Sequence, residues 1–314
     1  NNQVINTIRY ATAVTAANLT SLLDATGKPA NVALATLRPV ATVNDRKTWN
    51  LYDAANRLVK TVDELGYVTE TQYDGASRAV AAIRYANKYT GTLTAATTAA
   101  AVAPAADAAN DRKTRQFYDG DGKLAGTLDA EGYLTKNDYD GAGRLVHTVR
   151  YATPANGAWW ANGTLAQLQP AAAAQDIHGW TLYDAQDRII GSVDGEGYLT
   201  ENTYDANGNL TQQMRYANKA KIAPTLLTAT TTMADLRPAG SSADRSSGRT
   251  YTDLNQVASQ TDAEGTVTRY SYDNVGNLLK TDRAWNAADV RTQQSRYDRQ
   301  GRLIAELSGE GSAA

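Results

Sequence analysis

The pair Tyr-Asp recurs along the chain at fixed intervals, and no other feature restricts the fold as much. It stands at Tyr52-Asp53, Tyr73-Asp74, Tyr118-Asp119, Tyr139-Asp140, Tyr183-Asp184, Tyr204-Asp205, Tyr272-Asp273 and Tyr297-Asp298, with the degenerate Tyr251-Thr252-Asp253 filling the gap. The two members of a pair of units are 21 residues apart, as from Tyr52 to Tyr73, and successive pairs follow at 66, 65 and 68 residues. A repeat of about 66 residues is therefore laid over a shorter one.

The residue four places after each Tyr is Asn56, Ser77, Gly122, Gly143, Asp187, Gly208, Asn255, Gly276 or Gly301. Gly, Asn and Asp enter the left-handed region at least strain, whereas other residues lose roughly 1–2 kcal/mol there. An Asp opening a turn with such a residue three places later describes a type I turn closed by a bulge, a common hairpin connection. A second turn follows, with Asp63, Asp129, Asp194 and Asp262 three residues before Gly66, Gly132, Gly197 and Gly265. Between turns lie segments such as YVTETQY, which places Tyr67, Thr69, Thr71 and Tyr73 on one face and Val68, Glu70 and Gln72 on the other. That alternation is the period of a strand. Tyr rings on neighbouring strands are expected to stack as a seam.

Each large repeat thus holds four antiparallel strands, the last ending in the signature Arg-Tyr-Ala at 9–11, 84–86, 150–152 and 215–217. A connection of about 28 residues, rich in Ala and Thr, follows each one, with Pro39, Pro104, Pro170 and Pro238 at matching places. NGTLAQLQP at 162–170 and TMADLRP at 232–238 combine an N-cap, one or two helical turns and a Pro stop, which predicts a short helix. The alternative is a disordered Ala/Thr loop. The fold class is all-β, an antiparallel β-hairpin repeat array forming a shell or solenoid, with short helical or loop insertions about every 66 residues. We expect a single array over 1–314, divided approximately into 1–46 (partial), 47–112, 113–177, 178–245 and 246–314. The first residues align with the inside of one turn and 308–311 with another, which reads as a fragment of a longer chain.

The columns Y-D-x-x-G-R-L and D-x-x-G-Y-x-T-x-x-x-Y-D, seen in YDGAGRLVHTV and DGEGYLTENTYDANGNL, resemble the YD repeats (Rhs repeats) of bacterial Rhs proteins, Tc-toxin C components and animal teneurins. The resemblance runs from Asn1 to Gly311 and implies a long antiparallel sheet that spirals into a hollow shell, often around a toxic polypeptide. Two departures stand out. Shells of this family commonly end in a self-cleaving core with an Asp-Pro motif, and none of the seven Pro here follows Asp. The regular connection after every fourth strand also differs from plain tandem units, so both a closed shell and a fibre stay open as readings.

A net charge of −2 gives no broad attraction for nucleic acid or anionic lipid, and no stretch approaches eighteen consecutive apolar residues. Neither nucleic acid nor membrane insertion is expected. Zero Cys excludes thiolate metal sites and mildly favours a secreted or bacterial cell-surface setting. The only two His, His147 and His178, fall in different repeats and read as structural. The Asp at turn starts read as acceptors of local backbone N–H groups rather than as acid-base catalysts. DGDGK at 119–123 lacks the bidentate Glu of a calcium loop. Arg57, Arg78, Lys123, Arg144, Arg188 and Arg302 are expected to pair with Asp across the sheet. No catalytic, cofactor or metal residue is assigned. The expected partners are further repeats of the same polypeptide and an enclosed toxin domain, in a non-enzymatic scaffold. A second reading is an adhesin binding surface glycans through Trp159, Trp160, Trp180 and Trp285 on an exposed face.

Overall fold

A computed structural model describes residues 3–24 and 26–308. The turns expected to open and close the chain lie, at 1–2 and 309–311, outside the described residues. Nineteen strands appear, beginning with β1 (Asn6–Arg9). Four follow as β2 (Arg46–Tyr52), β3 (Leu58–Val62), β4 (Tyr67–Tyr73) and β5 (Ala79–Lys88), then four as β6 (Arg112–Tyr118), β7 (Leu124–Leu128), β8 (Leu134–Tyr139) and β9 (Leu145–Arg150). The third set is β10 (Ile177–Tyr183), β11 (Ile189–Val193), β12 (Tyr198–Tyr204) and β13 (Leu210–Lys219). The fourth is β14 (Arg245–Tyr251), β15 (Val257–Thr261), β16 (Val267–Tyr272) and β17 (Leu278–Arg283), and β18 (Arg291–Tyr297) and β19 (Leu303–Leu307) close the series. The four-strand repeat read from the sequence is the one observed.

The chain divides into two compact units, one running to Leu134 and including Pro154–Pro170, the other formed by Thr135–Thr153 and the residues from Ala171 onward. In the first, β1 to β7 each pair antiparallel with the next strand. In the second, β8 to β19 do the same. All nine positions four residues after the Tyr have positive φ, from 60° at Asn255 to 95° at Gly276, and the second-turn glycines lie between 82° and 92°. Beside each Tyr the pairing register slips by one residue, as between Leu51 and Tyr52. This is the bulge that the sequence predicts.

One face of the first and third strand sets is covered by the connection that follows it. In the first unit Trp49, Leu51, Val62 and Val68 meet Val102, which comes from the connection after β5 and has no exposed surface. Val68 thus points inward, and the Tyr face of β4 is the less buried one. Polar groups share this interior: Lys60 Nζ donates to Val102 O at 2.7 Å and pairs with Glu70 at 3.2 Å. The Tyr85 hydroxyl donates to Glu70 Oε2 at 2.9 Å. Burial, with Glu70 adding to it, pushes that hydroxyl up to about 12. In the second unit Leu227 and Leu236 of the connection after β13 close over Val193, Leu199, Trp180 and Leu182.

The connections after β5, β9 and β13 are therefore lids rather than disordered loops. The two expected helices exist as single turns, α1 (Leu165–Leu168) and α2 (Met233–Leu236), entered through capping boxes at Thr164 and Thr232. Helices this short are unstable alone, so they persist because Leu168 and Leu236 are buried. Each connection is also latched at its end. Asp45, Asp111, Asp176 and Asp244 accept the backbone N–H of Ala11, Ala86, Ala152 and Ala217 at 2.8–3.0 Å, each being the Ala of an Arg-Tyr-Ala signature. The sequence reading passed over this carboxylate, although its spacing of 66, 65 and 68 residues equals that of the Tyr pairs.

Two substitutions separate conformational strain from crowding at the second turn. Gly265→Ala places a methyl in open space at φ +82° and should cost about 1–2 kcal/mol from strain alone. Gly66→Ala adds a contact of 2.9 Å with the Tyr89 carbonyl at φ +88° and should lower the melting temperature further. Leu236→Ala should cost about 2–5 kcal/mol by emptying the lid's anchor. Thermal unfolding followed by circular dichroism checks all three.

Candidate functional site: the turn ladder

Each Tyr-Asp turn is closed by its own carboxylate. Asp53 Oδ1 accepts the N–H of Ala55 and of Arg57, both at 2.9 Å, which satisfies two donors that the reversal strips of partners. Asp74, Asp140, Asp184, Asp205, Asp273 and Asp298 repeat the arrangement. Asp119 does so too, through Asp121 and Lys123, so the stretch resembling a calcium loop has spent its first carboxylate on the turn. The backbone N–H four residues on is the main influence holding Asp53, Asp74, Asp140 and Asp298 below the usual carboxylate range. For Asp205 and Asp273 the side-chain amide of Asn209 or Asn277 leads. At Asp184 burial pushes the other way, and the hydrogen bonds from Arg188 outweigh it.

The Arg that follows ties one turn to the next. Arg57 grips Asp53 Oδ2 through Nε and Nη2, both at 2.7 Å, and its Nη1 reaches the Asp74 carbonyl at 3.2 Å. Its guanidinium lies over the Tyr73 ring at 4.9 Å. Arg78 over Tyr118, Arg144 over Tyr183 and Arg188 over Tyr204 repeat the stacking at 4.6–4.8 Å. The same Tyr hydroxyls bond backwards. Tyr73 donates to Leu58 O, Tyr118 to Ala79 O, Tyr183 to Leu145 O and Tyr204 to Ile189 O, at 2.8–3.1 Å.

Two expectations need correction here. The Arg pair first with the Asp of their own turn, four residues before, and the pairing expected across the sheet is seen at Arg144, which also meets Asp187 at 2.7 Å. The bulge brings the carboxylate of the same turn within reach of Nε without disturbing a strand. The rings of Tyr73, Tyr118, Tyr183 and Tyr204 are covered by guanidinium groups instead of one another, because a planar cation fills the space between successive turns and satisfies carbonyls as well.

The structure also joins two residues that the sequence kept apart. β9 and β10 pair so that Trp180 faces His147 and His178 faces Val149. His147 Nδ1 lies 2.9 Å from Asp138 Oδ2, its Nε2 lies 2.9 Å from His178 Nδ1, and its ring stacks on Trp180 at 4.1 Å. Burial, then the neighbouring His147, holds His178 below the usual imidazole range. The 30 residues between the two His include a connection whose return register periodicity alone does not fix. Among the described residues no group of three or more His, Asp or Glu is placed to hold a metal ion. Trp180 and Trp160 also turn inward, their indole N–H groups donating to Pro224 O and Ala155 O at 2.8 Å, so a row of exposed Trp is not formed.

Three stretches of the chain, 52–90, 183–221 and 251–287, match the RHS Repeat family. Each of these three stretches carries that family's repeat. No curated protein matches it in sequence. Its fold is similar to that in the crystal structures of TcdB2-TccC3-Cdc42 (16% identity, TM-score 0.51, 83% of this chain and 11% of that one) and TcdB2-TccC3-TEV (16%, 0.52, 90% and 12%). The crystal structure of TcdB2-TccC3 gives 15% identity, a TM-score of 0.52 and coverage of 83% and 12%. The chain therefore spans about an eighth of the length of these chains or less.

The depressed Asp groups set the acid response. Their stabilising effect is complete above the unfolded value of about 3.9 and is lost as pH falls through the lower folded values. Melting temperature should stay flat above about pH 5 and drop steeply below about pH 4, measured by circular dichroism at constant ionic strength. Arg188→Met should cost about 1 kcal/mol, and Arg188→Lys should recover little of it because an ammonium cannot stack and fork together.

Proposed function

We propose that this chain is a wall segment of a secreted, toxin-associated bacterial protein, in which copies of the four-strand repeat build a non-enzymatic shell around a polypeptide cargo. The observation that carries the reading is the turn ladder. The same Asp, Arg and Tyr contacts link successive turns in both units, so the residues in register are committed to extending the sheet. The fold similarity to TcdB2-TccC3 supports a shell over a fibre.

Electron microscopy of the intact native protein tests this directly. A hollow particle, together with a segment that resists protease until the wall is opened by acid, is the expected outcome. A filament, or a cargo cleaved as fast as a free peptide, would overturn it.

A further inference from the structure

The ladder is constant, but the seats beneath the lids are not. Five and three residues before the Tyr that ends β2, β6, β10 and β14 stand Lys47 and Trp49, Lys113 and Arg115, His178 and Trp180, and Ser246 and Gly248. In β2 and β10 the second of these is a Trp that packs against the cluster under the lid. In β6 it is Arg115, with Lys113 two residues away on the same face and Ala81 as its register partner on β5. The bulky apolar filler is missing there, and an open cleft of about 560 Å³ lies between the strands and the lid segment 161–165.

Lys113 and Arg115 both line this cleft and neither forms an ion pair among the described residues; Asp74 lines it too but is held by Arg78, and Glu70 acts on Lys113 only from a distance while paired with Lys60. Lys113 Nζ donates to Ala161 O at 3.2 Å, and Arg115 Nη1 to Trp160 O at 3.2 Å, with the guanidinium over Phe117 at 4.7 Å. The other cations nearby are matched, Arg78 by Asp74 and Lys60 by Glu70. Burial lowers the proton affinity of both, and for Lys113 the charge of Arg115 adds to it while the charge of Glu70 offsets part of it. Two half-buried like charges side by side are unfavourable until an anion joins them. Most of their donors also stay uncommitted, since an ammonium carries three N–H groups and a guanidinium five.

We propose that this cleft binds an oxyanion, the phosphate or carboxylate group of a small organic acid, between Lys113 and Arg115. The fork of Arg115 suits two oxygens of one group, and Lys113 supplies a second charge. A space of this size falls within the range of roughly 300–1,000 Å³ that accommodates small molecules, so the oxyanion is carried on a carbon frame. The site does not depend on whether the wall closes into a shell.

Calorimetric titration of the full chain with inorganic phosphate, glucose 6-phosphate and citrate, against chloride at matched ionic strength, tests the proposal. Saturable one-to-one binding of at least one of them is expected, and a preference between the phosphates and citrate identifies the favoured oxyanion. Arg115→Trp restores the filler of the neighbouring repeats and should weaken binding by about tenfold or more, or 1.4 kcal/mol. Lys113→Gln keeps the volume, removes one charge and should weaken it by about fivefold, with the circular dichroism spectrum unchanged. Absence of saturable binding, or equal affinity in Lys113→Gln, would overturn the proposal.

Discussion

The carboxylate at each reversal is the constraint on which the rest of this structure depends. A chain that turns back on itself every ten residues or so strands backbone N–H groups at the bend. Asp53 and its counterparts take up two of them with one oxygen and leave the second oxygen for the Arg four residues on. The bend must then pass through positive φ, which accounts for the Gly, Asn and Asp found there and makes Ser77 at φ 62° the most strained member of the column. Without that clasp the Arg would have no fixed root from which to reach the next turn.

A second economy follows from the thin interior. Fifteen apolar residues are buried among the described residues, too few to cover long sheets on both faces. The lids meet part of this need by adding single apolar anchors such as Val102, Leu168 and Leu236. Polar clusters meet another part: Glu70 with Lys60 and Tyr85 recurs as Glu201 with Arg237 and Tyr216. These groups satisfy one another within the half-buried layer, so the sheet tolerates a charged interior that an ordinary core would not.

The backbone plan was legible in the residues because turns impose local demands. Gly143, Gly208 and Gly276 occupy positive φ for reasons contained in a few neighbouring residues, and the strand count follows from their spacing. The wiring was less legible. That Arg144 meets Asp140 of its own turn as well as Asp187 across the sheet depends on how the bulge tilts the side chain, which alternation does not encode. The encounter of His147 with His178 depends on the path of an intervening lid, and the inward rotation of Trp160 and Trp180 depends on what that lid offers them. The Asp176 latch was readable in principle, for it keeps the repeat's metre, but an isolated carboxylate draws less notice than a Tyr-Asp pair.

The lacing along one margin of the strands has a mechanical consequence. At the Tyr-Asp side, peeling one hairpin from the next must break guanidinium, hydroxyl and main-chain bonds in the same small displacement. Load applied at that margin is therefore shared by contacts that fail together, which resists rupture better than the same bonds broken in turn. A force prising one hairpin from the next would meet a stiff seam there.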